Sequence, residues 1–221
     1  MMPAAHADLG VITIDGPAAS GKSSVAKGVA RALGVPFVSS GLLYRAATLL
    51  VARAGIDPGH EAAVMAALSG HTVALEPGRS TNRVHLDGED VSDALHTAVV
   101  DAAVSQVAAH PSVRAWVGEQ LRRVPPPFAI DGRDMGSTVF PDARSKFYLT
   151  ASLEERARRR AGERDADLAA VAAAMARRDA LDARQLAPAP DAHHIDTDAL
   201  DLDQVIERVL EKLRAGAASV P

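Results

Sequence analysis

Short apolar runs alternate with segments of helical periodicity along most of the chain. Residues 10–15 form a β-branched run that stops at Gly16–Pro17, which predicts a buried strand. A helical pattern then covers residues 22–33 and stops at Gly34. The further predicted strands span residues 35–38, 71–75, 83–86, 89–91, 128–131, 145–149 and 192–196, and the further predicted helices span residues 42–54, 61–68, 92–124 with a break at Pro111, 167–178 and 202–214. This alternation predicts an α/β fold in which helices flank a parallel sheet on both faces.

The stretch 71–94 departs from that alternation. Three short strand patterns follow one another there, and Asp87–Gly88 is a favoured two-residue hairpin turn. We therefore predict a small antiparallel β insert over about 71–94. The remaining residues, 9–70 and 95–221, are expected to form the core of a single domain that spans residues 1–221, a length that suits one large domain with an insert.

Composition and charge exclude some classes of function. The absence of cysteine excludes disulfides, thiolate catalysis and cysteine-bound metals, and it fits a reducing cytosol. A net charge of −4 and an aromatic content of 3% argue against nucleic-acid binding. The sequence shows no signal-peptide pattern and no apolar run near the roughly 20 residues of a membrane-spanning helix. We expect a cytoplasmic monomer with neither nucleic acid nor membrane as a partner.

A phosphate-binding loop follows the first predicted strand. The segment Gly16–Ser23 fits G-x-x-x-x-G-K-[ST] and lies between a predicted strand and a predicted helix. Its backbone amides and the positive end of the helix would hold a polyphosphate, Lys22 would reach the β- and γ-phosphates, and the Ser23 hydroxyl would bind Mg²⁺. The predicted ATP-binding residues are Gly16, Pro17, Ala18, Ala19, Ser20, Gly21, Lys22, Ser23 and Ser24. The alternative is an ordinary glycine-rich turn between a strand and a helix.

An acidic residue ends each of two apolar predicted strands. Asp131 follows Ile130 at the carboxyl end of its strand, where ligands bind in open α/β sheets, and we expect it to hold hydrated magnesium together with Ser23. Asp15 occupies a comparable place on the first strand, and the sequence does not separate the two. Either carboxylate could instead cap a helix.

Arginine dominates the basic residues, since only four of the 24 are lysines. Transfer between two phosphates brings like charges together, and bidentate arginines are suited to clamping them. Arg45, Arg114 and Arg133 stand in distinctive local contexts, and five more arginines crowd residues 156–164. For the crowded group, a solvated helix face paired with neighbouring glutamates is an equal alternative.

The chain resembles the bacterial cytidylate (CMP) kinases, within the nucleoside monophosphate kinase family of P-loop kinases, over almost its full length. The matching segments are Ile12–Pro17 with its loop, Ser40–Arg45, Leu86–Val91, Ser105–Ala109 leading to Arg114, Asp131–Gly136 with Val139–Asp142, and Arg178–Asp182. The Asp-Gly-Arg-Asp-Met-Gly motif is far more specific than a phosphate loop. The resemblance implies a P-loop kinase core, a monophosphate-binding role for the insert, and a helical lid over about residues 154–167.

The resemblance also implies roles for individual residues. It assigns Ser40, Arg45 and Arg133 to the acceptor phosphate, Ser105, Arg114 and Asp134 to cytosine, and Arg178 and Asp182 to the ribose. Asp131, Lys22, Arg133 and the lid residue Arg160 are the expected catalytic group. Ser39 stands where the family often has Asp. Asp182 is followed by Ala-Arg184 in place of Asp-x-x-Arg, so either Arg184 replaces the late arginine with a shifted register or that contact is lost.

These inferences predict an enzyme that transfers the γ-phosphate of ATP to CMP, and to dCMP, with Mg²⁺. The acceptor is already anionic, so the reaction needs positioning and charge stabilisation and no strong general base. Asp134 would accept a hydrogen bond from the cytosine amino group and thereby favour CMP over UMP. The alternatives left open are a kinase of the same fold acting on UMP, dTMP or shikimate, and a regulatory protein that binds ATP without transferring phosphate.

Overall fold

A computed structural model describes residues 9–164, 167–181, 183 and 185–217. The chain divides into two compact units. The first comprises residues 1–37 and 126–221, and the second comprises residues 38–125. The first unit is therefore discontinuous in sequence, and the second is one uninterrupted stretch.

The described residues form eight strands, and the first, sixth and seventh follow apolar runs of the sequence. They are β1 (Val11–Asp15), β2 (Phe37–Ser39), β3 (Val73–Glu76), β4 (Arg83–Leu86), β5 (Glu89–Asp90), β6 (Phe128–Gly132), β7 (Ser145–Thr150) and β8 (His193–Asp196). Five of them make one sheet in the order β2-β6-β1-β7-β8. β1 pairs in parallel with β6 and with β7, and β7 pairs in parallel with β8. The predicted α/β fold with a parallel sheet is confirmed.

Within the part of the chain that the structure describes, there are eight α-helices. They are α1 (Lys22–Leu33), α2 (Gly41–Arg53), α3 (Glu61–Ser69), α4 (Ala98–Ala109), α5 (Pro111–Arg122), α6 (Leu153–Arg164), α7 (Leu168–Leu181) and α8 (Leu202–Ala217). In the first unit α1 and α8 pack together, and their buried residues Val29 and Val209 join Ile12, Ile14 and Phe147 of the sheet in one apolar core. Burying these side chains is the main force that holds the sheet and its helices together.

The predicted helix over 92–124 is divided at two places. Pro111 is the first residue of α5, where a missing backbone N–H costs nothing, so the predicted break is confirmed. A 3₁₀ turn, Asp93–His96, precedes α4 and is separated from it by Thr97 in an extended conformation. No proline or glycine in the sequence marks this second break, at Thr97.

The antiparallel sheet of the second unit contains β3, β4 and β5. β4 and β5 are joined by Asp87–Gly88, whose φ angles are 51° and 85°. Two positive φ angles are what a type I′ hairpin turn requires, which confirms the predicted hairpin. This sheet falls within the predicted insert 71–94, whose bounds as a functional part remain a prediction.

A single π-helical turn, Met135–Val139, links β6 towards β7 and was not predicted. Met135, Gly136 and Val139 are buried in it. Such turns are rare and often lie at functional sites. Among the described residues, no helix has both the length and the apolar character needed to cross a membrane.

Candidate active site

The loop after β1 adopts a backbone that only certain residues accommodate. Gly16 has φ 151°, and a Cβ there would lie 2.3 Å from the Leu149 carbonyl oxygen. Ala19 and Gly21 also have positive φ, at 56° and 88°. Gly21 immediately precedes α1, so the loop leads directly into the N-terminus of a helix. Successive amides in this geometry form a cradle for an anion, and the helix dipole adds positive potential.

The Lys22 ammonium lies over this loop, where its Nζ donates a hydrogen bond to the Pro17 carbonyl oxygen at 3.0 Å. Arg133 reaches the same loop from the segment after β6, and its Nη1 donates to the Gly16 carbonyl oxygen at 3.0 Å. Two cations are thus held at the loop by its own carbonyl groups. This places two of the four expected catalytic residues beside the expected phosphate site.

The Ser23 hydroxyl is paired with Asp131. Ser23 Oγ donates to Asp131 Oδ2 at 2.5 Å, while Asp131 Oδ1 is buried without a hydrogen-bond partner. A hydroxyl and a carboxylate oxygen suit Mg²⁺, which usually keeps several waters and takes only one or two protein ligands. The unpartnered buried oxygen gives such a water a site to bind. These two residues therefore fit a magnesium ion.

Asp15 is engaged differently. It is 5% exposed, and its two carboxylate oxygens accept hydrogen bonds from the backbone N–H groups of Met135 at 2.9 Å and Gly136 at 2.8 Å. Burial raises the pKa of Asp15 to about 6, against the opposing effect of these two hydrogen bonds. Because both oxygens already cap the π-helical turn, the geometry favours Asp131 over Asp15 as the partner of Ser23.

A cavity of about 450 Å³ opens beside the phosphate loop. Lys22 and Ser23 line one side, and Arg160 of α6 lines another. The apolar side chains of Leu200 and Val205 also line the cavity. A cavity of this size with an apolar part and a phosphate cradle suits a nucleotide.

The crowded arginines of α6 divide into distinct environments. Arg158 is 62% exposed and pairs with Glu154 and Glu155, as the solvated-face alternative predicted. Arg156 is 8% exposed, and its Nη1 donates to the Ala18 carbonyl oxygen of the phosphate loop at 3.3 Å. The sequence pattern could not separate these arginines, because their burial depends on which face of α6 meets the loop.

Arg159 was expected only as one of the crowded arginines, and Asp179 only as part of the Arg178–Asp182 segment, with no individual role for either. Arg159 donates to the side chain and the carbonyl oxygen of Thr197, on the cavity wall. Asp179 of α7 forms a 2.8 Å ion pair with Arg156. Asp179 stands next to the expected ribose residue Arg178 in sequence, which was the available signal.

In the second unit, Arg45 of α2 is fixed by α4. Its Nη2 forms a 2.8 Å ion pair with Asp101, and its Nη1 donates to the Leu95 carbonyl oxygen. Ser105 lies one helical turn beyond Asp101 on α4, so the expected phosphate ligand and the expected cytosine ligand belong to one helix pair. Asp101 was missed, although its spacing from Ser105 offered a signal.

Two further expected ligands of this unit have defined surroundings. The Arg114 guanidinium lies 5.6 Å from the centre of the Tyr44 ring and donates to the Ala108 carbonyl oxygen. Ser40 is buried immediately before α2. In the first unit, Asp134 is 7% exposed and directly precedes the π-helical turn. The Arg178 side chain, Asp182 and Arg184 lie outside the described residues.

Comparisons with known proteins show which sequences and folds this chain is similar to. A family model described as cytidylate kinase matches residues 12–215. A cytidylate kinase from Deinococcus deserti is 58% identical over 92% of this chain and 98% of its own, and one from Thermus thermophilus is 56% identical over 93% and 99%. A gluconokinase structure from Sinorhizobium meliloti is similar with a TM-score of 0.51 at 17% identity, covering 94% of this chain and 93% of that one. That likeness concerns the fold alone.

Proposed function

This chain belongs to the cytidylate kinase family, and from that premise we propose that it transfers the γ-phosphate of ATP to CMP, and to dCMP, giving the diphosphate and ADP. One observation supports this best. Lys22, Arg133, Ser23 and Asp131 converge on a loop whose backbone forms an anion cradle. A family of phosphotransferases requires that arrangement at the donor phosphates.

We propose that ATP occupies the cavity beside α1. The loop amides and Lys22 would hold its phosphates, and Arg160 would meet the transferred group from the cavity wall. Ser23 and Asp131 would hold Mg²⁺, which neutralises phosphate charge when bound. The remaining polar and apolar wall of the cavity would take the nucleoside.

The acceptor ligands implied by the family are proposed for each unit separately. In the first unit they are Arg133 and Asp134, and in the second unit they are Arg45 and Arg114. Ser40 and Ser105 complete the proposed set for phosphate and cytosine. Arg178 and Asp182 remain the proposed ribose ligands, and the two alternatives for Arg184 also stand.

The reaction forms a bond between an acceptor phosphate oxygen and the γ-phosphorus and breaks the bond from that phosphorus to ADP. The attacking oxygen carries negative charge near pH 7, so no side chain has to remove a proton. We assign to Lys22, Arg133 and Arg160 the stabilisation of charge on the transferred phosphoryl group. We propose that closure of the lid, residues 154–167, excludes water as a competing acceptor.

We also keep as proposals the division into a core (9–70 and 95–221), a monophosphate-binding insert (71–94) and that lid. A cytoplasmic monomer that acts on small nucleotides, without a nucleic acid or membrane partner, is part of the same proposal. The net charge of −4 supports the exclusion of nucleic acid.

A coupled assay of ADP formation tests the function. Purified protein with ATP and Mg²⁺ is offered CMP, dCMP, UMP, dTMP and shikimate in turn. We expect turnover with CMP and dCMP well above the others, and loss of turnover in Lys22→Ala. No ADP formation with CMP would overturn the proposal. A preference for UMP, dTMP or shikimate would identify a different acceptor, and ATP binding without turnover on any acceptor would indicate a regulatory protein.

A further inference from the structure

The π-helical turn Met135–Val139 directly follows Arg133 and Asp134, two proposed acceptor ligands. Backbone hydrogen bonds join Asp134 to this turn, because the Asp134 carbonyl oxygen accepts from the N–H groups of Thr138 and Val139. The position of the turn therefore sets the position of both ligands.

Asp15 holds the first two amides of the turn. Its Oδ1 accepts from Met135 N at 2.9 Å and its Oδ2 from Gly136 N at 2.8 Å, across 120 residues of sequence. Two charge-assisted hydrogen bonds to consecutive amides constrain both translation and rotation of that peptide. A carboxylate supplies two acceptors at this spacing, whereas an amide side chain supplies only one.

The residue after Asp15 constrains the same segment from its other end. The Gly16 carbonyl oxygen accepts from Arg133 Nη1 at 3.0 Å. Two consecutive residues at the end of β1 therefore hold this segment. Asp15 binds the backbone amides of the turn, and Gly16 binds the Arg133 side chain.

The underside of the turn leaves no room for adjustment. A Cβ added to Gly136 would lie 2.7 Å from Thr13 Oγ1 and 3.2 Å from the Lys146 side chain. The Lys146 ammonium is itself anchored by Asp191 at 2.9 Å. Close packing below and the Asp15 carboxylate above leave one position for this backbone.

We propose that Asp15 is a positioning residue for acceptor binding, because it fixes the turn that places Arg133 and Asp134. This inference rests on the proposed function, in which those two residues contact the acceptor. We assign Asp15 no catalytic role, because both of its oxygens are engaged by backbone amides of the turn. The ionised carboxylate is the form that holds both amides most strongly, because protonation turns one of its oxygens into a hydroxyl, which is a weaker acceptor.

Asp15→Asn tests this, because the variant keeps the shape but presents an N–H₂ group to one of the two amides. We expect kcat/KM for CMP to fall by about 100-fold, the cost of a misplacement near 1 Å, while the KM for ATP changes by less than about twofold. The preference for CMP over UMP should fall as well. Asp57→Asn is the matched control, since Asp57 is an acceptor for the Gly59 amide on an exposed turn, and it should match the wild type.

Gly136→Ala displaces the same turn from its opposite side, through the clash with Thr13, and leaves the Asp15 side chain and the residues of the phosphate loop unchanged. We expect the same loss of kcat/KM for CMP with KM for ATP preserved, and this variant decides the matter if Asp15→Asn does not fold. A folded Asp15→Asn with unchanged CMP kinetics would overturn the inference. So would equal losses for ATP and CMP, which would indicate general damage to the adjoining loop. Failure of the wild type to phosphorylate CMP would instead overturn the proposed function.

Discussion

Ser23 and Asp131 form a pair in which one carboxylate oxygen is occupied and the other is buried without a partner. If a hydrated magnesium ion binds there, Asp131→Asn should lower the affinity for Mg²⁺, because the amide carries no charge. We predict that the Mg²⁺ concentration for half-maximal activity rises by about tenfold or more in Asp131→Asn. A magnesium titration of the wild type and the variant at saturating nucleotide measures this, with Asp57→Asn as the control. An unchanged midpoint would place the ion elsewhere.

Asp134 offers a prediction about the base. A carboxylate accepts a hydrogen bond from the cytosine amino group and meets an unfavourable carbonyl in uracil. We predict that Asp134→Asn lowers the ratio of kcat/KM for CMP to that for UMP by an amount equivalent to about 1–3 kcal/mol. Competition between the two nucleotides in one reaction measures the ratio directly. If it stays constant, Asp134 does not read the base.

For single residues, the sequence indicated which side chains could bind phosphate or metal more clearly than it indicated which residues those side chains contact. Lys22 and Ser23 followed from a motif with strict spacing, and Asp131 from its place at the end of an apolar strand. In the structure Lys22 donates to the phosphate loop and Ser23 donates to Asp131. Asp15 and Asp131 could not be separated, because both end an apolar strand. The difference between them depends on the π-helical turn, which is stabilised by tertiary contacts and leaves no periodic signal.

At the scale of elements, Arg156 links three parts of the first unit. Besides the Ala18 carbonyl, it donates to the Ala151 carbonyl before α6 and pairs with Asp179 of α7. Arg156→Ala would leave Asp179 without its cation, and Asp179 already has one buried oxygen without a hydrogen bond. We predict a loss of about 2 kcal/mol of unfolding free energy, below the range for a fully buried pair because Asp179 is partly exposed.

Urea denaturation measures that loss, and Arg158→Ala on the same helix is the control. Arg158 is exposed and, among the described residues, pairs with the neighbouring Glu154 and Glu155, so its removal should cost less than about 0.5 kcal/mol. The double variant Arg156→Ala/Asp179→Ala should be more stable than the sum of the single losses predicts. Equal effects of the two arginines would show that the link does not contribute.

Helices and strands were predictable where the local pattern and the tertiary environment agree. α1 has the predicted bounds because a loop glycine precedes it and Gly34 follows it with φ 68°. The separation of the 3₁₀ turn from α4 was not predictable, because Thr97 has no strong preference against a helix. Its extended conformation depends on packing that the sequence does not display.

For the whole molecule, buried Asp15 predicts a pH dependence of stability. Its pKa is about 6 when folded and near 3.8 when exposed, so the folded state binds more protons between those values. Unfolding free energy should therefore fall as pH rises from about 4 to above 6, by up to about 3 kcal/mol from this group. Asp15→Asn removes that contribution. Urea denaturation of both proteins between pH 4 and 7 should show the wild type losing stability relative to the variant, and a constant difference would contradict the prediction.

Net charge is another property of the whole molecule, and its negative sign does not reflect the charge around the phosphate loop. The total is −4, yet Lys22, Arg133, Arg159 and Arg160 all lie at the phosphate loop or on the cavity wall. Local arrangement, which the sum conceals, determines what such a region attracts.

The strand order also determines when the active site can form during synthesis. The two sheet neighbours of β1 are β6 and β7, and both leave the ribosome only after the whole 38–125 segment. At about 5–20 residues per second, β1 waits on the order of ten seconds for its first partner. During that time the 38–125 segment, which is contiguous, can complete its own folding. The phosphate loop is therefore among the first functional parts to leave the ribosome and among the last to acquire a fixed conformation.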